Sequence, residues 1–206
     1  MKAAAEPHSR DIREAYVSRV ACAIFRERGY HATSMRTIAS ALEWQPAALY
    51  YYYPGKEELL FSIMEGAVDA LTKRVLDAIE PDAPVHIQLR QAIKAHITTV
   101  VDHLDELSVF LHETKALGPE RQGIIQTKRD RYERIFRNLL ERGVASGELA
   151  QVDPRLAGFL ILAACNWLYN WYRPGGDYGP EEIAGAFTDM ILHGLLGWDG
   201  HSIGRG

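Results

Sequence analysis

Apolar residues recur along almost the whole chain at intervals of three and four. No stretch keeps the strict alternation of a half-buried strand, so the chain is expected to be all-α. Val17, Val20, Ala21, Ile24 and Phe25 stand at i, i+3, i+4, i+7 and i+8. They predict an amphipathic helix from about Ser9 to Arg28, with Ser9 as its N-cap and Gly29 as its stop. Thr33 or Ser34 can cap a short second helix whose inward face is Met35, Ile38, Ala39 and Leu42. Pro46 suits a first helical turn, so Pro46 to Tyr52 reads as a third helix, one tight turn later. Leu59, Leu60, Ile63, Met64, Ala67, Val68, Leu71 and Val75 form one long stripe over about 56–79. Further helices are expected at about 84–102, 105–117, 119–145, 154–173 and 180–197, about nine in all. Pro81, Pro84, Gly118-Pro119, Gly147, Pro154 and Pro174-Gly175-Gly176 mark the joints.

The 206 residues suffice for one large domain or two modest ones, and no internal repeat or Ser/Gly-rich linker separates independent parts. A head over 1–55 and a helical body over 56–206, sharing the helix at 56–79, is the expected division. With 47% apolar and 24% charged residues the chain reads as an ordinary soluble globular protein. Cys22 and Cys165 lie far apart inside apolar patterns, so they are expected in the core rather than in a disulfide or a zinc site. The longest apolar run, Ala157 to Cys165, is nine residues, about half of a membrane span. The N-terminus lacks the apolar core of a signal peptide, and a cytoplasmic location with no membrane partner is expected. The net charge of −4 hides an asymmetry: residues 10–56 carry seven Lys/Arg against four Asp/Glu, so the cationic surface is expected at the N-terminal end.

Two short helices joined by a tight turn and braced by a longer preceding helix form the smallest unit that lays a helix in a DNA major groove. Residues 34–52 fit it. Thr33 and Ser34 bring hydroxyls and free backbone N–H groups to the start of the second helix, and Arg36 follows within a turn. Gln45, Ala47 and Ala48 lead the third, with Tyr50, Tyr51, Tyr52 and Lys56 behind them. Arg13, Arg19, Arg26 and Arg28 are read as the solvated face of the first helix.

The ordered run Phe25-Arg-Glu-Arg-Gly29-Tyr30, Thr33-Ser34-Met35-Arg36-Thr37-Ile38-Ala39, Ala48-Leu49-Tyr50-Tyr51-Tyr52-Tyr53 and Lys56-Glu57-Glu58-Leu59-Leu60 resembles the TetR family of bacterial transcriptional repressors over about residues 10–60. The resemblance implies a homodimer with two helix-turn-helix heads on an all-α body that binds a small-molecule effector and forms the dimer interface. It also implies phosphate contacts from Thr33, Ser34, Tyr50, Tyr52 and Lys56, and base reading by the turn from Gln45 to Ala48. Glu43 and Trp44 depart from the Gly and small aliphatic common in that turn, Gln45 from a Ser/Thr cap, and Tyr52 from a frequent His. A Gln caps weakly but pairs bidentately with adenine, so base contact is favoured for Gln45. Tyr53, before Pro54, is expected in the core with its hydroxyl reaching solvent.

In the body, Trp171-Tyr172-Arg173-Pro174-Gly175-Gly176, followed by Pro180-Glu181-Glu182-Ile183-Ala184, is similar to a TetR subgroup that controls lipid and sterol degradation and responds to acyl-CoA thioesters. Such an effector needs an apolar tunnel and cations at its mouth. The expected pocket is His96, Val100, His103, Leu104, Phe110, Phe159, Leu162, Ala163, Asn166 and Trp167, with Ile97 and Val101 beside them. Lys128, Arg129, Arg131 and Arg134 could meet the phosphates, although such a charge run is more often a solvated face. The expected dimer interface is Trp171, Ile183, Phe187, Ile191 and Leu195. His96 and His103, seven apart, and His112 lack a dense metal signature, so hydrogen-bonded or solvated histidines are favoured over a metal site.

No GxSxG, GxGxxG, Walker A or CxxC pattern occurs, which argues against an enzyme, and neither catalytic residues nor a cofactor are expected. A ligand-responsive repressor is the expectation. The alternative, an all-α interaction or membrane-surface scaffold, leaves the ordered spacing from Thr33 to Lys56 unexplained.

Overall fold

The structure, a computed structural model, describes residues 10–196, with side chains over 12–194. The expected Ser9 cap and the Leu195 side chain lie outside the described residues. The helices are α1 (Arg10–Arg28), α2 (Met35–Ala41), α3 (Pro46–Tyr52), α4 (Lys56–Ala78), α5 (Val85–Asp102), α6 (Leu104–Glu113), α7 (Pro119–Ser146), α8 (Pro154–Asn166), α9 (Leu168–Trp171) and α10 (Pro180–Leu196). No strand occurs among the described residues.

The expected helix at 154–173 is interrupted at Trp167, where Asn170 N–H bonds back three residues to the Trp167 carbonyl (3.0 Å) and tightens the turn. Leu168 and Tyr172 remain on the buried side beyond this break. The expected helix at 105–117 likewise ends early, passing into a 3₁₀ turn over Thr114–Ala116.

The chain divides into two compact units, one from Met1–Ala67 with Leu104–Ile125, the other from Val68–His103 with Gln126–Gly206. In the first, α1 packs on α6 and α2, and α2 on α3. Val17, Ala21, Ile24 and Phe25 are buried on one face of α1, as the spacing requires, and Cys22 is buried beside them. Gly29 takes φ +81°, its N–H bonds to the Phe25 carbonyl (2.8 Å), and the chain turns so that Tyr30 meets Phe25 edge-on at 5.2 Å. Ser34 caps α2 by accepting from the Thr37 N–H at 3.1 Å. Leu49 of α3 is fully buried, as are Leu59, Leu60 and Met64 of α4. Burying such side chains contributes roughly 1.5–3 kcal/mol each.

In the second unit α5 packs against α10, α8 and α9. Its buried residues include Leu89, Ala92, Ile93, Ile97 and Val100, with the polar Gln88, His96 and Thr99 among them. Tyr132, Phe136 and Leu140 of α7, Ile161 and Cys165 of α8, and Ile183, Ala184 and Leu192 of α10 are buried in the same unit. Asp153 caps α8, accepting from the N–H groups of Arg155 (2.8 Å) and Leu156 (3.0 Å), with Pro154 in its first turn.

Candidate nucleic-acid interface and buried polar cluster

The turn between α2 and α3 carries Glu43 at φ +58°, a left-handed conformation that L side chains adopt at a cost and that explains why Gly is common there in the family the sequence resembles. That turn lets α3 present Gln45, Ala47, Ala48, Tyr50 and Tyr51 to solvent while Leu49 holds the core. Tyr51 is 84% exposed in the middle of this face. Gln45 makes no side-chain cap bond, which leaves its amide outside the helix's own hydrogen bonding, as base reading requires. Ser34 and Arg36 are exposed at the start of α2. With a capped N-terminus and aligned N–H groups, that end suits a phosphate.

Two expected phosphate contacts are engaged within the protein itself. Thr33 is buried and its Oγ1 donates to the Gly29 carbonyl (2.9 Å), closing the end of α1 rather than facing outward. The Lys56 Nζ donates to the carbonyls of Tyr30 and Thr33, both at 2.7 Å, with the His31 carbonyl at 3.4 Å, and lies 4.2 Å from the centre of the Tyr30 ring. All three ammonium donors and the ring face are thereby engaged within the protein. Burial pulls the pKa of Lys56 down, with the Glu113 charge acting in the opposite direction.

Tyr52 is half-buried, with its hydroxyl accepting from Arg13 Nη1 (3.2 Å) and its ring against Trp44 (5.8 Å) and Tyr51 (5.3 Å). Arg13, read as a merely solvated residue, lines an open groove on this surface with Glu43, Trp44, Gln45, Ala48, Tyr51 and Tyr52. The two partners are 39 positions apart, so no local pattern could have paired them. The Tyr53 hydroxyl is buried, not solvent-reaching as expected.

A tether at the first turn of α4 was also missed. Glu57 Oε1 accepts from the Gly118 N–H (3.0 Å) and pairs with Arg121 (3.2 Å), and Arg121 also pairs with Glu58. The Gly118 N–H, with help from Arg121, holds the Glu57 carboxyl below its ordinary range.

The expected effector residues fall in both units. Leu104 and Phe110 belong to the first unit, and His96, Val100, His103, Leu162 and Asn166 to the second. Phe159, Ala163 and Trp167 are exposed, because the buried face of α8 runs through Gly158, Ile161 and Cys165 and theirs is another one. His103 closes α5 as its C-cap, and His112 Nδ1 lies 2.8 Å from the Ser108 carbonyl. Among the described residues no group of His, Cys, Asp and Glu could hold a metal ion.

What the second unit does bring together is a polar cluster inside apolar packing. His96, 1% exposed, has Nδ1 at 2.5 Å from the Tyr132 hydroxyl and its ring stacked on Tyr132, with Phe136 edge-on at 6.0 Å. Burial pulls the His96 pKa down to about 4, and the Asn166 side chain beside it opposes that fall. Burial, then the nearby Cys165, pushes the Tyr132 hydroxyl well up, and burial carries the Cys165 thiol up to about 12. These groups are therefore neutral near pH 7.

The dimer expectation is partly redrawn. Ile183 is 4% exposed and faces its own core, Phe187 and Ile191 are half-buried, and Trp171 is exposed, 6.4 Å from the Phe187 ring. Leu156, Phe159, Leu160, Trp167, Trp171 and Met190 form the exposed apolar set on α8, α9 and α10.

Comparison with known proteins fits this geometry. Residues 18–63 match the family model described as bacterial regulatory proteins, tetR family, and residues 82–195 the model described as tetracyclin repressor-like, C-terminal domain. The HTH-type transcriptional repressor KstR2 of Rhodococcus jostii (strain RHA1) is 27% identical over 183 residues, covering 85% of this chain and 87% of that protein. The crystal structure of the TetR family transcriptional regulator PfmR from Thermus thermophilus is 36% identical, covers 86% of this chain and 97% of its own, and superposes with a TM-score of 0.80. AibR, solved in complex with isovaleryl coenzyme A and operator DNA, is 29% identical over 86% of this chain and 97% of its own, with a TM-score of 0.78. No described helix is long and apolar enough to cross a membrane. With both family models in register, one across the helix-turn-helix and one across more than half of the chain, the protein belongs to the TetR family of bacterial transcriptional regulators.

Proposed function

We propose that the chain is a homodimeric repressor that holds a palindromic operator and releases it when an acyl-CoA thioester binds its helical body. Residues 1–55 serve as the DNA-binding domain and 56–206 as the effector-binding and dimerising domain. The exposed face of α3, with Gln45 uncapped and Tyr50 and Tyr51 outward, carries the DNA reading. In a dimer, two such helices enter successive major grooves about one helical turn apart. Gln45, Ala47, Ala48 and Tyr51 lie at the base edges, while Ser34, Arg36, Tyr50 and Tyr52 meet backbone phosphates.

The thioester reading is supported by AibR, solved with isovaleryl coenzyme A and operator DNA, and by KstR2, named as a repressor. The second copy covers the apolar set on α8, α9 and α10, a face whose exposed side chains are of the kind that mark protein interfaces. Coupling of about 1–3 kcal/mol between effector and operator suffices for a 5- to 150-fold change in occupancy.

Fluorescence anisotropy on DNA from the upstream region of the gene, at stated salt, tests the reading. Competitor-resistant binding, relieved by one chain-length class of acyl-CoA, is expected. Tight binding indifferent to every thioester removes the effector, and no preference over random DNA removes the operator.

A further inference from the structure

The face of α5 that carries Ile93, Ile97 and Val100 into the core also carries His96, a polar ring at a position whose neighbours on that face are aliphatic. Tyr132 supplies one partner only, at Nδ1. The Tyr132 hydroxyl makes no other hydrogen bond among the described residues, so its proton goes to Nδ1 and the ring proton sits on Nε2. That Nε2–H is buried and has no hydrogen-bond partner among the described residues. Asn166 lies beside the ring without reaching it in hydrogen-bonding geometry. A buried donor left unmade is costly, and one kept in a native core calls for a reason.

On the strength of the acyl-CoA reading, we propose that His96 Nε2–H, with the Asn166 amide beside it, is the subsite that hydrogen-bonds the thioester carbonyl of the effector. The chemistry selects a neutral acceptor. The imidazole is too deeply buried to be charged near pH 7, and no cation among its contacts balances an anion. A free carboxylate would bring an unpaired charge into this core, whereas a thioester carbonyl brings only an acceptor. The site therefore reads the activated acyl group and rejects the free fatty acid, and Tyr132 is the positioning residue that fixes the tautomer.

The test uses the full-length protein and isovaleryl-, octanoyl- and palmitoyl-CoA, each beside its S-alkyl thioether analogue, in which CH2 replaces the carbonyl. Calorimetric titration is expected to show the best-binding thioester about 10-fold or more tighter than its thioether, the range set by leaving one buried donor unpaired. His96→Leu binds the two equally, His96→Gln recovers part of the preference, and Tyr132→Phe reduces it with the chain-length order unchanged. Without ligand, the double variant His96→Leu/Tyr132→Phe, which removes both partners of the buried pair, melts at or above the wild-type temperature. A lower melting temperature of that double variant assigns the histidine a structural role and overturns the subsite. Equal binding of thioester and thioether by wild type also overturns it while leaving the acyl-CoA reading intact. Failure of all three thioesters to bind overturns that reading and this one together.

Discussion

Glu43 concentrates two costs in one side chain. It holds the left-handed backbone of the turn between α2 and α3, where a Cβ is disfavoured by about 1–2 kcal/mol. It is also exposed on the groove shared with Gln45, Tyr51 and Tyr52, where a carboxylate repels approaching phosphates. Glu43→Gly relieves both: a gain of about 1 kcal/mol in unfolding free energy, less the extra entropy of the unfolded glycine, is expected in urea denaturation. Operator binding tightens at low salt, and the gain shrinks as salt screens the charge. A stability loss in Glu43→Gly would show that the carboxylate makes a contact that outweighs the backbone cost.

At the scale of elements, Lys56 ties the start of α4 to the loop between α1 and α2. Three carbonyls, of Tyr30, His31 and Thr33, point at one ammonium, and they are what a truncation leaves behind. Lys56→Ala is therefore expected to lower stability by roughly 1–3 kcal/mol while changing the salt slope of operator binding little. A slope reduced by about one unit with stability unchanged would instead return Lys56 to the phosphates. The example shows what a sequence carries and what it does not. The helices were legible because their apolar spacing, Ser34, Gly29 and Pro46 are local signals, and so was the outward face of α3, since Leu49 is its one buried position. The role of Lys56 was not, because its acceptors are backbone carbonyls 23 to 26 residues away that carry no side-chain signature. Which face of α8 its own core covers was not legible for a related reason. Leu156 to Trp167 is apolar almost all round, and a helix apolar on both sides does not say which side meets its own core.

For the whole molecule, the proposed dimer gives the two apolar sides of α8 two separate burials, one on folding and one on pairing. Ile161 and Cys165 are already covered, whereas Leu160 is 69% exposed, Leu156 66% and Trp167 57%, large side chains with nothing over them in a single chain. In the proposed homodimer a second copy covers this face and sets two recognition helices on one DNA duplex, so operator affinity is expected to depend on it. Linking two half-site interactions raises overall affinity by about 10²–10⁴ over one alone. Leu160→Glu tests the link without disturbing the fold, because the new carboxylate is solvated in the monomer and becomes buried and unpaired only in the dimer. Light scattering after size exclusion should then give the 23.2 kDa of one chain where wild type gives twice that, with circular dichroism unchanged. Operator affinity should fall by about 10²-fold or more, while weak binding to random DNA, made by single heads, changes little. A Leu160→Glu protein that stays dimeric would move the interface off α8, and the exposed set would then need a different partner.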